Sequence, residues 1–313
     1  MAISQFSYAA LSSGLALICL CGEGKTAEYA FSTYGLGESA FAAGVTPPPG
    51  TYVTAVAGFY SGDIGVAVDF GRVTINAGAS VEGFTTGLSV LYVPERKLFG
   101  GSIGLAITIP VGHLDGNATI GLAGGPSVAA ETAGWGFGDI TTRAQLGWKQ
   151  GDFSHLIYVQ AVAPTGRWQP GFTPIIGLHR PGIDTGWAFT WEHKPSKLQF
   201  NGTAGVTFNF ENTATDYKTG DEFHFEWAIG REIATGLVLG IVGYDYRQIT
   251  GDTGSGATLG PFKGRVDAIG AGLSYTTLIN KSPLVLNLRH YQEFNAENRW
   301  EGNSTLASAT IKW

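Results

Sequence analysis

The chain has 313 residues, of which 14% are charged, 12% are aromatic and 47 are glycine. Soluble domains carry about 25% charged residues, so this composition argues against an ordinary soluble globule, and the mean hydropathy of +0.09 agrees. The formal charge of -6 argues against nucleic acid as a partner, since no basic patch is available to neutralise phosphates. No apolar run approaches the ~18 residues of a membrane-spanning helix, so a membrane protein of this sequence must cross with strands.

The first residues resemble a secretory signal peptide. An apolar run from about residue 9 to residue 21 is typical of its hydrophobic core, so residues 1–24 are expected to be removed, with a boundary that could extend to about residue 30. Gly22 and Gly24 supply small residues for cleavage. Both cysteines, Cys19 and Cys21, lie in this run, so we expect a mature chain without thiols, which suits export through an oxidising periplasm.

Residues 31–50 form a glycine- and proline-rich segment ahead of the first predicted strand. Its end, Pro47 to Pro49, cannot join a β-ladder because proline has no backbone N–H. We therefore expect one folded domain over residues 51–313, since no charge run or low-complexity linker divides the rest of the chain.

Twelve segments of β-strand character follow. Each combines period-two alternation, or an enrichment in β-branched and aromatic residues, with turn residues on both sides. They span about residues 51–60, 81–93, 100–110, 136–148, 153–162, 185–192, 198–209, 222–232, 236–248, 263–275, 283–294 and 304–313.

The connections between these segments alternate strictly between short and long. Residues 149–152 and 233–235, for example, form compact turns, whereas residues 61–80 and 111–135 are long stretches that we interpret as loops. This alternation is typical of an up-and-down barrel with periplasmic turns and extracellular loops. A β-sandwich has no reason to sort its connections in this way.

The strands also have two chemically different faces. In residues 222–229, Phe223, Phe225 and Trp227 alternate with Glu222, His224 and Glu226. Periodicity alone does not say which face is inside. Twelve closed strands with a polar interior need lipid outside, so we predict that the apolar face is the outer one.

The last strand ends on an aromatic residue, Trp313, and Ile311 and Ala309 share its face. Such an ending is typical of bacterial outer-membrane barrels, although a sandwich strand ending in tryptophan is the alternative for this segment alone. The sequence thus predicts an all-β fold: a single up-and-down antiparallel transmembrane β-barrel of about 12 strands in the outer membrane. Its expected partners are outer-membrane lipid and the barrel-assembly machinery, which would recognise the strand ending at Trp313.

Several stretches resemble the outer-membrane protein family of the phenol meta-cleavage (MetA-pathway) degradation, whose members are regarded as transporters. The resemblance covers about residues 35–313, and it departs from the family at the uncharged start and at residues 178–184. It implies passive uptake of small hydrophobic or aromatic compounds. The stretches that carry it are residues 41–52, 59–63, 136–139, 163–166, 213–226, 239–246, 248–264 and 287–294.

Polar side chains on the predicted inner face are candidates for lining the pore. In one interpretation arginines attract hydroxylated or anionic groups while tyrosines offer ring faces to an aromatic guest; in the other, the charges simply pair across strands. The candidates are Arg143, Gln145, Tyr158, Gln160, His224, Glu226, Asn287, Arg289, Tyr291 and Glu293, joined by Lys263, Arg265 and Asp267 if their strand has the same parity.

The segment of residues 31–50 has two open interpretations. Phe31, Tyr34 and Phe41 favour a hatch folded back into the periplasmic mouth, and the alternative is a mobile tail. No cofactor or metal is predicted, because no ligand set of defined spacing is present. The alternatives to transport are a lipid hydrolase, for which His155 and His290 on apolar faces are the candidates, and a structural or adhesive barrel.

Overall fold

In the computed structural model the described residues, 28–69, 74–123, 125–168, 176–258 and 260–313, form a closed antiparallel β-barrel. The predicted signal peptide of residues 1–24 lies outside the described residues. Among the residues described, no helix is long and apolar enough to cross a membrane.

Fourteen strand segments and two short 3₁₀ helices make up the described chain. The helices are Glu28–Ala30 and Lys194–Ser196. The strands are β1 Gly50–Asp69, β2 Thr74–Val93, β3 Lys97–Leu98, β4 Gly101–Leu122, β5 Ser127–Phe137, β6 Ile140–Gln150, β7 Phe153–Ala163, β8 Gly182–His193, β9 Leu198–Asn209, β10 Glu222–Ala234, β11 Leu237–Gln248, β12 Arg265–Ile279, β13 Ser282–Glu297 and β14 Glu301–Lys312.

The fourteen segments make twelve wall strands, because β5 and β6 together form one strand and β3 lies in a turn, and this confirms the predicted strand number. β5 and β6 both pair with β4 and make one wall strand interrupted at residues 138–139, while β3 is a two-residue strand within a turn. Neighbours in sequence pair as antiparallel hairpins, and β1 pairs with β14 from Tyr52↔Lys312 to Asp63↔Glu301. That last pairing closes the sheet and leaves it without free edges along this stretch.

The prediction was wrong about two long loops. Residues 61–80 and 111–135 are mostly strand, because β1 continues to Asp69 and pairs with β2 in unbroken register, and β4 pairs with both β2 and β5. Their glycine, threonine and asparagine content suggested loops. Long connections do remain at residues 164–181, 210–221 and 249–264. We call that end of the barrel the loop end, and the opposite end the turn end.

The burial pattern assigns the two faces. Side chains of the apolar set point outward, as shown by Ile107 at 42% exposure and Phe225 at 37%, whereas the interleaved Glu222 and Glu226 are at most 1% exposed. A belt of exposed apolar side chains around a polar interior is the reverse of a soluble core and matches a lipid-facing barrel. The predicted orientation of the faces is therefore confirmed.

The sequence left open which face of the barrel Arg265 and Asp267 occupy, and the structure places them on the outer face, away from the pore. In β12, Val266 and Ala268 point inward and are buried, so Arg265 and Asp267 lie on the outer face near the loop end. There Arg265 pairs with Glu297, and Asp267 pairs with Arg247. These charges are satisfied outside the lumen.

Candidate functional site

Residues 28–49, which we call the N-terminal segment, occupy the barrel interior. The segment starts at the loop end, passes through the lumen, and reaches the turn end where β1 begins at Gly50. The prediction placed residues 31–50 at the periplasmic mouth alone, so the observed position is different. The segment's role as a hatch stays a prediction.

At the turn end, side chains of the wall hold the last residues of the segment, near Gly44 and Thr46. Gln145 Nε2 donates to Thr46 Oγ1 at 3.1 Å, and the Gly44 N–H donates to Thr190 Oγ1 at 3.0 Å. Gly44 approaches the wall so closely that an added Cβ would lie 2.5 Å from the Cα of Phe189. Only glycine permits this contact.

The middle of the segment is fastened by two charged side chains of the wall. The Glu226 carboxylate accepts the backbone N–H groups of Gly37 at 2.9 Å and Ser39 at 2.6 Å. Arg289 Nη1 donates to the carbonyl oxygens of Gly37 at 2.9 Å and Glu38 at 2.5 Å. Charge-assisted hydrogen bonds of this kind are stronger than neutral ones, so Glu226 of β10 and Arg289 of β13 tie the main chain of residues 37–39 to the wall.

Beside this point, an aromatic ring of the segment covers a buried pair. Tyr34 stacks on the His224 ring with centroids 3.6 Å apart, and His224 Nε2 lies 3.0 Å from Asp184 Oδ1. Thr207 also donates to Asp184 at 2.8 Å. His224 of β10 thus contacts Asp184 of β8, a partner that the sequence reasoning missed. The choice between a transport role and charge pairing for the inner-face residues stays a prediction.

At the loop end the segment is joined to the external connections. Arg180 is fully buried; its Nη2 donates to the Phe31 carbonyl at 2.6 Å, and its Nη1 lies 4.0 Å from Glu28 Oε2. Asn212 and Thr215 donate to the other oxygen of Glu28 at 2.9 and 2.7 Å. Burial raises the pKa of the Glu28 carboxyl, against the opposing effects of the Thr215 hydrogen bond and the Arg180 charge.

Among the described residues, two cavities adjoin the N-terminal segment, lined mainly by β1, β2, β4 and β14 and in part by β6, β7 and β13. The loop-end cavity has a volume of about 420 Å³ and the turn-end cavity about 290 Å³. The interior on the side of β10 to β13 is instead filled with packed side chains, including Tyr244, Tyr246 and Tyr291. The two cavities share the lining residues Glu38, Val56, Gly58, Thr85, Thr108 and Leu306.

All ten predicted pore residues lie on the inner face, but only four of them line a cavity. Gln160 and Glu293 line the loop-end cavity, and Asn287 and Arg289 line the turn-end cavity. The six that line neither cavity are Arg143, Gln145, Tyr158, His224, Glu226 and Tyr291. Four of these six, Gln145, His224, Glu226 and Tyr291, are in direct contact with the N-terminal segment, through Thr46, Tyr34 and the backbone of Gly37 and Ser39.

Two further predicted residues contact each other rather than a free lumen. The Arg143 guanidinium lies over the Tyr158 ring at 3.9 Å. Tyr291 donates through its hydroxyl to the Gly37 carbonyl at 3.1 Å. The ring face of Tyr158 and the hydroxyl of Tyr291 are therefore engaged by the protein itself, and a role in transport stays a prediction.

Sequence reasoning missed several residues around the loop-end cavity. Phe31 packs against Trp300 with centroids 6.0 Å apart and against Tyr60 at 6.3 Å, and Arg299 lies over the Tyr246 ring at 4.1 Å. Tyr60 could have been found, because it shares the inner parity of β1. Arg299 and Trp300 lie in the connection between β13 and β14, where no periodicity assigns a direction.

The closed twelve-stranded wall, the outward apolar side chains and the polar interior define this protein as an outer-membrane β-barrel. The chain belongs to the family described as the MetA-pathway of phenol degradation, whose model matches residues 61–308. This match confirms the resemblance found in the sequence. No curated protein matches the chain.

Among solved structures, an outer membrane channel from Pseudomonas putida F1 is similar at a TM-score of 0.64 and 14% identity, over 90% of this chain and 100% of that one. At this identity the likeness concerns the fold. The translocator domain of the autotransporter NalP from Neisseria meningitidis is similar at a TM-score of 0.43 and 10% identity, over 85% of this chain and 90% of that one. The CymD monoaromatic hydrocarbon channel has a TM-score of 0.41 and 8% identity, over 85% and 90%. The last two scores are too low to support an argument.

Proposed function

We propose that this protein is a passive outer-membrane channel for small hydrophobic or aromatic compounds. The observation that carries the proposal is the pair of adjoining cavities along one side of the N-terminal segment, which together extend from the loop end towards the turn end. The membership in a family named for phenol degradation supports the compound class.

The route runs beside the N-terminal segment rather than along the centre of the barrel. Its junction is formed where Glu38 of the segment faces Gly58, Thr85 and Thr108 of the wall. An added Cβ at Gly58 would lie 2.9 Å from Thr85 Oγ1 of the paired strand and 3.0 Å from Leu306 Cδ2, so a larger residue at position 58 would crowd the wall at the junction. Small residues and neutral hydroxyl groups there suit a compact solute with few charges.

The N-terminal segment acts in this proposal as a fixed partial plug. Its hydrogen bonds to Gln145, Glu226 and Arg289 hold it against the packed side of the lumen. The hatch interpretation of Phe31, Tyr34 and Phe41 is retained in this form. In this proposal the segment narrows the barrel, and the passage follows the two cavities beside it.

The lipid hydrolase is the less favoured alternative. His155 lies between the rings of Trp148 and Phe153, and His290 Nδ1 is 2.9 Å from Thr305 Oγ1. A serine nucleophile needs a histidine within hydrogen-bond reach, and these contacts provide none for either residue. We therefore propose a protein that is not an enzyme, with outer-membrane lipid and the barrel-assembly machinery as partners.

The passage can be tested by two substitutions at neighbouring positions that point in opposite directions. Thr108 lines both cavities, and Ile107 faces the membrane. We expect Thr108→Trp to lower uptake of phenols, benzoates or alkanes into proteoliposomes several-fold, because the indole fills the junction. Ile107→Trp serves as the matched control and should leave uptake unchanged. Equal uptake by Thr108→Trp and the original protein would refute this route, and no uptake of any compound by the original protein would refute the channel.

A further inference from the structure

We infer that the loop-end cavity contains a binding site for a small neutral aromatic compound that carries a hydroxyl group, formed by Arg299, Ser304 and the rings of Phe31 and Trp300. This inference rests on the proposed channel function and names the compound that the channel would select. It starts from polar groups of the cavity that the protein leaves without partners.

The first such group is the guanidinium of Arg299. It lines the loop-end cavity and lies over the Tyr246 ring at 4.1 Å. The charges of Glu293 and Glu222 act on it, but among the described residues it makes no direct hydrogen bond and no close ion pair.

Two other arginines of the lumen, Arg180 and Arg289, donate to carbonyl oxygens of the N-terminal segment. Arg143 lies over the Tyr158 ring at 3.9 Å and lines neither cavity. A guanidinium has five donors, so Arg299 can supply hydrogen bonds to a guest.

The second group is the hydroxyl of Ser304. Its residue is only 8% exposed and lines the same cavity, and Ser304 Oγ is buried without a hydrogen-bond partner among the residues described. A buried hydroxyl that lacks a partner costs stability, and a bound polar group would satisfy it. Gln160 lines the cavity too, and its amide makes no hydrogen bond within the described ranges.

Aromatic rings supply the apolar part of the site. Phe31 and Trp300 lie 6.0 Å apart with a 30° angle between their planes, and both line the cavity. Trp300 is held in place because its Nε1 donates to the Tyr29 carbonyl at 3.0 Å. A fixed pair of rings favours a flat apolar guest, since offset stacking adds to the energy of burial.

Charge decides against an anionic guest. The described lining of the cavity includes the acids Glu38, Asp139 and Glu293 but only one base, Arg299. The acidic side chains would repel a guest carboxylate. A neutral hydroxyl can accept a hydrogen bond from the guanidinium and is not repelled in this way. The volume of about 420 Å³ is near the small end of ligand pockets, roughly 300–1,000 Å³, and suits a compact guest.

The site can be tested by ¹⁹F NMR titration of the purified full chain in detergent with 4-fluorophenol and fluorobenzene. We expect 4-fluorophenol to bind more tightly than fluorobenzene. In Arg299→Met its affinity should fall about tenfold or more, because a hydrogen bond to a charged group is lost while the side-chain length is kept. Ser304→Ala should lower the preference for 4-fluorophenol over fluorobenzene by a smaller factor. This smaller substitution keeps the test available if Arg299→Met fails to fold.

Arg265→Met is the matched control, since this arginine pairs with Glu297 on the outer face and does not line the cavity. Unchanged 4-fluorophenol affinity in Arg299→Met and Ser304→Ala, or equal binding of the two compounds by the original protein, would overturn the inference. Uptake into proteoliposomes distinguishes failure of the binding site from failure of the channel function. If the protein takes up both compounds equally, it is a channel without this site. If it takes up neither compound, it is not a channel.

Discussion

Arg289 and Glu226 reach the N-terminal segment from strands that are distant in sequence. The Arg289 contact with Gly37 spans 252 residues and the Glu226 contact spans 189. Period-two alternation was sufficient to place both side chains in the lumen. The alternation could not show that these two side chains would hydrogen-bond to the main chain of residues 37–39, because a local sequence pattern carries no information about contacts between distant residues.

We expect Arg289→Ala to loosen the segment. The substitution leaves the carbonyl groups of Gly37 and Glu38 without their charged donor, at a cost of about 2 kcal/mol. Single-channel conductance in planar bilayers should rise, and cation preference should increase because a positive charge leaves the lumen. Arg265→Ala, on the outer face, is the control. Conductance and selectivity equal to those of the original protein would show that Arg289 has no such role.

The N-terminal segment is the element that decides where a passage remains. Its hydrogen bonds go to β6, β8, β9, β10 and β13, and the cavities lie mainly against β1, β2, β4 and β14, with β13 contributing to both sets. Its proline run predicted the start of the first strand within one residue of Gly50. The path of the segment through the lumen was not predictable, since glycine and proline content describes a chain that avoids a ladder but not where it goes.

A cross-link can show whether the segment has to move. Ser39 Oγ lies 2.5 Å from Thr203 Oγ1 of β9, so the double substitution Ser39→Cys and Thr203→Cys places two thiols within reach. Because the proposed passage lies on the opposite side, we expect equal uptake in proteoliposomes with the disulfide oxidised or reduced. The single variant Ser39→Cys controls for the loss of the hydroxyl. Uptake that stops only on oxidation of the double variant would mean that the segment leaves the wall during transport.

At the scale of the whole molecule, the sequence predicted the class, the strand number and the orientation of the faces, because a barrel repeats one simple pattern many times. It was wrong about residues 61–80 and 111–135, where small and polar residues occur in paired strands. In β1, Thr54, Gly58 and Tyr60 belong to the inner face, and an inner face needs no apolar character. Composition alone therefore cannot distinguish such a strand from a loop.

Trp313 allows a test of the whole barrel. Its N–H donates to the Thr51 carbonyl at 2.8 Å, while its side chain is 90% exposed beyond β14. If the assembly machinery recognises this end, deletion of Trp313 should lower the amount of folded protein in the outer membrane several-fold, measured by heat-modifiable mobility in gel electrophoresis. Refolding of the same purified variant in detergent should proceed normally. Trp191→Ala removes another exposed tryptophan and should have no comparable effect; equal losses for both variants would contradict the prediction.

The enclosed position of residues 28–49 constrains the order in which the protein is built. They precede every strand, yet they end up surrounded by a ring whose final joint, β1 with β14, needs the last residues of the chain. Contacts over such separations form late, since loop closure opposes them. We therefore expect the segment to lie between the strands before β1 pairs with β14, so that the barrel closes around residues already in its interior.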